Sequence, residues 1–194
     1  MLIREIRVQD AKEIAQIHIE TIDTGFISSL GLNFVRILYQ EICKSEMGFG
    51  YIVEENSKVI GFIAGAMDIS KLYKEIIFKR GFLFIIPLIK HFFRFATLKR
   101  IGETLFYPCK IKDSYCQAEI LSVGVKKEYR GKGAGRKLME AIVKEFRRRG
   151  VKEVKALTCD ENEASNQYYL SQGFKFINKI KHHENYLNIY QLIL

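Results

Sequence analysis

The chain has 194 residues, 48% hydrophobic and 27% charged, with a formal net charge of +9 at pH 7. That length suits one domain with a proper core, and the balance excludes a disordered or fibrous chain. Cys43, Cys109, Cys116 and Cys159 form no C-x-x-C pair and have no histidine at ligand spacing, so neither a metal site nor a disulfide scaffold is expected, only reduced thiols.

The charge is unevenly spread. Between Ile69 and Gln117 ten Lys/Arg face three Asp/Glu, a local balance of +7. These basic residues are mixed with Phe, Ile and Leu and match no base-reading motif, so no nucleic-acid partner is expected. The longest uncharged apolar run, Gly81 to Ile89, ends at Lys90, far short of the roughly 20 residues a membrane span needs. Charges at Arg4, Glu5 and Arg7 stand where an export signal would be apolar, which argues for a cytoplasmic protein.

In chain order, Leu2 to Val8 alternates like a strand, and Asp10 is placed to cap a helix carrying Ile14, Ile17, His18 and Ile22. The break "TGFISSLG" leads into a second helix with Phe34, Ile37, Leu38 and Ile42 on one side. "YIVEENSKVIGFIAGAMD" reads as a hairpin: strand Tyr51 to Glu54, turn Glu55 to Lys58, strand Val59 to Met67. Residues 69 to 117 read as two amphipathic helices, one from Lys71 to about Phe78 and one beginning near Pro87, with Gly81 breaking between them. In the second, Leu88, Ile89, Phe92, Phe93 and Ala96 share a side opposite Lys90 and Arg94.

From Ala118 the signals sharpen. "AEILSVGV" is a strand and "KKEYRGKGAG" a glycine-rich basic loop. A helix follows over Arg136 to Arg149, with apolar positions 138, 139, 142, 143 and 146 and Glu140 set to pair with Lys144; Gly150 ends it. Then come strand "EVKALT", a short helix from about Glu163 to Ser171 closed by Gly173, and strands Phe174 to Ile180 and Tyr186 to Ile193, joined around His182 and His183. The pattern is a mixed α/β (α+β) domain over 1–194, with a mostly antiparallel sheet flanked by helices.

Strand, glycine-rich basic loop, helix: this is physically an anion site. Gly131, Gly133 and Gly135 permit tight turns and close backbone approach, and the helix N-terminus adds partial positive charge. A phosphate or pyrophosphate is the natural guest, although neither G-x-x-x-x-G-K-[ST] nor G-x-G-x-x-G is present. From spacing alone the ligand stays open.

Arg130-Gly131-Lys132-Gly133-Ala134-Gly135, behind the strand "LSVGV", resembles the R/Q-x-x-G-x-G/A signature of the GNAT superfamily of acyl-CoA-dependent N-acyltransferases. Asn162, Tyr169 and Gly173-Phe174 match that family's N-x6-Y-x3-G-F segment, in the right order. The resemblance implies acetyl-CoA as cosubstrate, with its pyrophosphate on the amides of Gly131, Lys132, Gly133, Ala134, Gly135 and Arg136, beside Arg130. It implies that the pantetheine arm pairs with the strand at Leu121, Val123 and Val125, where a bulge splays the fourth strand from the fifth. Gly124 would suit that bulge. A backbone N–H near Val123 would stabilise the oxyanion.

Tyr169 matches the family tyrosine that protonates the departing thiolate, while Tyr168 is expected to pack in the core. Glu119 stands where the histone-acetyltransferase branch has its catalytic glutamate. It is either a partly buried base with a raised pKa or a strand-edge residue facing solvent. Asn162 either contacts the cofactor arm or caps the helix, and His182 and His183 are expected to be merely exposed.

In the family's basic plan a tight turn joins the third and fourth strands, so residues 69–117 are a helical insertion. Three uses compete for it: walling the acceptor side, a homodimer contact, or rest on an anionic membrane. The resulting expectation is direct acetyl transfer from acetyl-CoA to a primary amine, such as an amino sugar, without a metal. The alternative is a non-catalytic acyl-CoA-binding or membrane-surface regulatory module.

Overall fold

The computed structural model describes residues 1–22, 25–89, 97, 99–104, 116–182 and 185–194. Strand β1 spans only Leu2–Glu5, shorter than its alternation suggests, because Asp10 pulls the chain into a turn. The Asp10 carboxylate accepts from the Arg7 amide at 2.7 Å and from both terminal nitrogens of Arg4 at 2.7 and 2.9 Å. Arg4 in turn reaches Glu54 across the sheet. Helix α1 (Ala11–Thr21) then starts directly, followed by the short α2 (Phe26–Ser29) and by α3 (Leu32–Lys44).

The hairpin forms as the spacing predicts, with β2 (Gly48–Glu55) and β3 (Lys58–Ala66) joined through Asn56 and Ser57. Both turn residues have positive φ, 49° and 60°, the backbone of a type I′ turn whose twist matches the flanking strands. Strand β2 begins three residues earlier than expected, since Phe49 packs edge-on against Phe146 with ring centres 4.8 Å apart.

Between β3 and β4 (Glu119–Val125) the chain is helical from Ile69 to Leu88. Helix α4 (Ile69–Arg80) is capped by Asp68, whose carboxylate accepts from the Lys71 amide. It buries Ile69, Leu72 and Ile76, each worth roughly 1.5–3 kcal/mol. A 3₁₀ turn (Gly81–Phe84) and α5 (Ile85–Leu88) follow, and Phe84 packs on Phe34 of α3. Pro87 is the third residue of α5, within its first turn, and the expected apolar side formed by Phe92, Phe93 and Ala96 lies outside the described residues. The base of the insertion is closed by a backbone bond from Ile69 N to Gln117 O, 3.1 Å.

The remaining elements are α6 (Ala134–Arg148), β5 (Glu153–Cys159), α7 (Glu163–Ser171), β6 (Lys175–His182) and β7 (Asn185–Ile193). Glu140 pairs with Arg136 one turn back, at 2.9 Å, and not with Lys144 as the spacing suggests. The strands make one seven-stranded sheet in the order β1-β2-β3-β4-β5-β7-β6, antiparallel except at β4–β5. One core cluster joins one face of the sheet to α1, α3 and α4; a second joins the other face to α6 and α7.

Candidate active site

The one parallel pairing is also the weak one. Strands β4 and β5 are in register only at Glu119 with Lys155 and Ile120 with Ala156, whereas β5 stays paired to β7 along its whole length. Beyond Ile120 the two strands part, which leaves Leu121, Ser122, Val123 and Val125 half-buried in the middle of a sheet. This parting of the strands, toward their C-terminal ends, is the candidate cleft.

The irregularity in β4 is at Leu121. Ala64 pairs with Ser122 and Gly65 with Ile120, so Leu121 is the extra residue. Gly124, the glycine expected there, pairs regularly with Phe62. Its missing side chain serves α1 instead: a Cβ at 124 would lie 2.6 Å from Thr21 Oγ1 and 2.8 Å from Phe62 Cε1. The glycine lets the helix lie close on the strand, and β-bulges do not need glycine at the extra position.

Past Val125 the chain makes a 3₁₀ turn (Lys127–Tyr129), and the Arg130 side chain bonds back to the Val125 carbonyl at 3.0 Å. Gly131 and Gly133 have φ of 74° and 83°, and a Cβ on either would meet nothing within 4 Å. The backbone thus needs glycine for its conformation and leaves open space over the loop. Gly133 is the N-cap of α6, and no side chain caps it. The first-turn amides at Ala134, Gly135 and Arg136 therefore have no intrahelical carbonyl to bond. Exposed Arg130, Lys132 and Arg136 surround them. Bare amides, a helix N-terminus and three cations fit a pyrophosphate, as acetyl-CoA carries. The helix begins at Ala134, two residues before the point suggested by its apolar periodicity.

In α7, Tyr169 is only 4% exposed, ringed by Tyr168, Phe174 and Tyr190 at 5.5, 5.4 and 6.0 Å. Burial pushes its phenol pKa up, and the charge of Glu119 adds to the rise, so the hydroxyl keeps its proton. Glu119 is equally buried, at 4% exposure, which excludes the solvent-edge reading. It lies at the closed end of the cleft, 3.6 Å from the ammonium of Lys155, which also donates to the Cys116 carbonyl at 2.7 Å. Asn162 caps α7, its side-chain oxygen accepting from the Ser165 amide at 3.0 Å.

Two functional neighbours escape a reading of spacing alone. Tyr168 does pack inward, as expected, but its hydroxyl also donates to the Gly135 carbonyl at 2.9 Å, tying α7 to the start of α6. Asn166 donates to the carbonyls of Cys159, Asp160 and Asn162 and accepts from Asn188 and Tyr190, which fixes the start of α7. An asparagine one turn after another asparagine was the available signal. His182 ends β6 opposite Asn185, and His183 lies outside the described residues.

The sequence from residue 19 to 174 matches the family model of the acetyltransferase (GNAT) family. No curated protein matches significantly, but many solved structures do. A ribosomal-protein-alanine N-acetyltransferase from Brucella melitensis is 20% identical, covers 100% of both chains and has a TM-score of 0.64. An N-acetyltransferase from Staphylococcus aureus Mu50 is 18% identical over 99% of this chain and 97% of its own, with a TM-score of 0.61. Arabidopsis thaliana NAA60, solved with a bisubstrate analogue, is 16% identical over 99% and 97%, with a TM-score of 0.62. At such identities the structures speak for the fold, and the family match speaks for the class: this chain belongs to the acetyltransferase (GNAT) family and is an acyltransferase.

Proposed function

We propose that the protein transfers an acetyl group from acetyl-CoA directly to a primary amine in a ternary complex. The observation that supports this best is the parting of β4 from β5 immediately before a basic loop and an uncapped helix N-terminus. The loop amides from Gly131 to Arg136, with Arg130 and Lys132, hold the pyrophosphate. Leu121, Val123 and Val125 offer backbone to the pantetheine arm, and Asn162 orders the start of α7 beside it. The amide near Val123 faces the charge that develops on the thioester oxygen.

Tyr169, kept protonated by burial, donates to the leaving thiolate. Glu119 is the candidate base. Because its carboxylate is buried beside Lys155, the amine proton reaches it through water. No acyl-enzyme is needed, and burial raises the thiol pKa of Cys43 to about 12 and of Cys116 to about 11, which keeps both poor nucleophiles at neutral pH.

The acceptor we favour is a small amine bearing negative charge, such as an amino sugar derivative, because the insertion carries most of the net positive charge. The test is thiol release from acetyl-CoA over a panel of glucosamine phosphate, spermidine, amino acids and a peptide beginning with alanine. Turnover of at least one amine, with Tyr169→Phe lowering kcat about 10-fold or more while KM for acetyl-CoA holds, is the expected result. Acetyl-CoA binding without acetylation of any amine would instead favour the non-catalytic module.

A further inference from the structure

Strand β4 carries a polar chain that the transfer reading above leaves unused. Ser122, the second residue past the point where β4 parts from β5, has its hydroxyl 2.6 Å from that of Tyr39. The Tyr39 hydroxyl is 2.7 Å from His18 Nδ1. Three elements, β4, α3 and α1, supply one group each. Tyr39 and His18 are 1% and 6% exposed, packed around Phe62 with ring centres 5.2 and 6.2 Å away. His18 Nε2 is buried and has no hydrogen-bond partner among the described residues. Leaving such an atom unsatisfied is costly, and an apolar ring here would avoid the cost. The chain therefore calls for an account beyond packing.

Its direction follows from donor and acceptor strength. Burial lowers the pKa of His18 to about 4 and raises that of Tyr39, so at pH 7 the imidazole is neutral and the phenol intact. The phenol is the best donor of the three groups and the imidazole nitrogen the best acceptor. The strongest arrangement has Tyr39 donating to His18 Nδ1, with the ring proton on Nε2. Tyr39 oxygen then accepts from the Ser122 hydroxyl, which leaves the lone pairs of Ser122 Oγ free to accept. A neutral, buried imidazole is a poor place to store a proton, so the chain orients rather than relays.

We propose that His18 and Tyr39 are positioning residues that fix the Ser122 hydroxyl as a hydrogen-bond acceptor, and that Ser122 holds an N–H of the acceptor amine just past the point where β4 parts from β5. This rests on the transfer reading and assigns the amine side of the same site. It adds a contact for the amine nitrogen itself, whatever the remainder of the acceptor.

The experiment has two arms. In protein carrying ¹⁵N-histidine, a long-range ¹⁵N–¹H spectrum, with His18 assigned by its loss in His18→Gln, reads the tautomer between pH 6 and 8. The expected state is neutral with the proton on Nε2, and Tyr39→Phe moves the Nδ1 shift toward that of an unbonded nitrogen. A proton on Nδ1, or a titration centred above pH 6, overturns the assigned direction. In the kinetic arm the amine panel is run with Ser122→Ala, Tyr39→Phe and the double variant. Each single change should lower kcat/KM for the amine roughly 3- to 10-fold. The double variant should be no worse than the singles, because one chain is broken once, and acetyl-CoA affinity by calorimetry should not move. Additive losses, or a lower melting temperature with unchanged kinetics, overturn the proposal in favour of packing alone. An active wild type with a fully active Ser122→Ala sinks this proposal and spares the transfer reading; a wild type that acetylates no amine sinks both.

Discussion

Glu145 lies on the buried side of α6, yet it carries a charge. Its carboxylate accepts from Arg148 at 2.7 Å through both oxygens and from Arg149 at 2.7 Å, and the Arg149 guanidinium lies 4.4 Å from the Phe49 ring centre. The Arg148 hydrogen bonds outweigh the opposing effect of burial and hold the carboxyl pKa down to about 2, below the ordinary value of 4.5. A carboxylate whose pKa is lower in the folded state contributes stability above its unfolded pKa and loses it on acidification. This contribution is therefore full above about pH 5 and fades as the pH falls toward 2. Glu145→Gln should lower the melting temperature by a few degrees at pH 7, and the gap from wild type should close by pH 2–3 in thermal melts. Apolar periodicity could not reveal Glu145, because a charge on the inner side counts against that side until its two arginines are seen to pair with it. The two tyrosines show the same limit. Motif order singles out Tyr169, whereas the role of Tyr168 depends on the Gly135 carbonyl, 33 residues away in sequence. Tyr168→Phe should weaken acetyl-CoA binding a few-fold by freeing the start of α6, at a cost of about 0.5–1.5 kcal/mol read by calorimetry.

At the scale of elements, β4 repeats the lesson. Its place in the chain and the loop that follows could be read from the pattern "LSVGV" and the glycines after it. The site of its irregularity could not, since a register shift is a relation between two strands, here the mismatch of Leu121 against Ala64 and Gly65. Gly124 drew attention as the flexible residue of the strand, while what it provides is room for Thr21 and Phe62. Gly124→Ala should thus destabilise the fold by about 1–3 kcal/mol through forced separation of α1 and β4. Urea unfolding measures this; an unchanged midpoint would show that the helix can move aside at no cost. The β1 boundary failed for a similar reason, because Asp10 acts through Arg4 and Arg7, and alternation alone carried the strand through to Val8. Helices α1, α3 and α6 were legible because each has an apolar side at helical spacing, and α7 because Gly173 closes it.

Over the whole molecule, two core clusters hold a seven-stranded sheet rigid while one pair of central strands diverges between them. The insertion adds α4 to one cluster through Ile69, Leu72 and Ile76, and it leaves Phe78, Phe82, Ile85 and Ile86 exposed. Among the described residues no helix is long and apolar enough to cross a membrane. In the proposed transfer, the loop after β4 binds acetyl-CoA through backbone amides that only glycine turns can present. Calorimetric titration of acetyl-CoA into wild type, Gly133→Ala and Gly133→Glu tests it directly. The alanine variant meets no atom with its Cβ but must hold a φ of 83°, a strain of about 1–2 kcal/mol, and should bind roughly 5- to 30-fold more weakly. The glutamate variant adds a negative charge beside the pyrophosphate and should lose measurable binding while melting close to the alanine variant. Wild type without affinity for acetyl-CoA, or Gly133→Glu binding as well as wild type, would contradict the account.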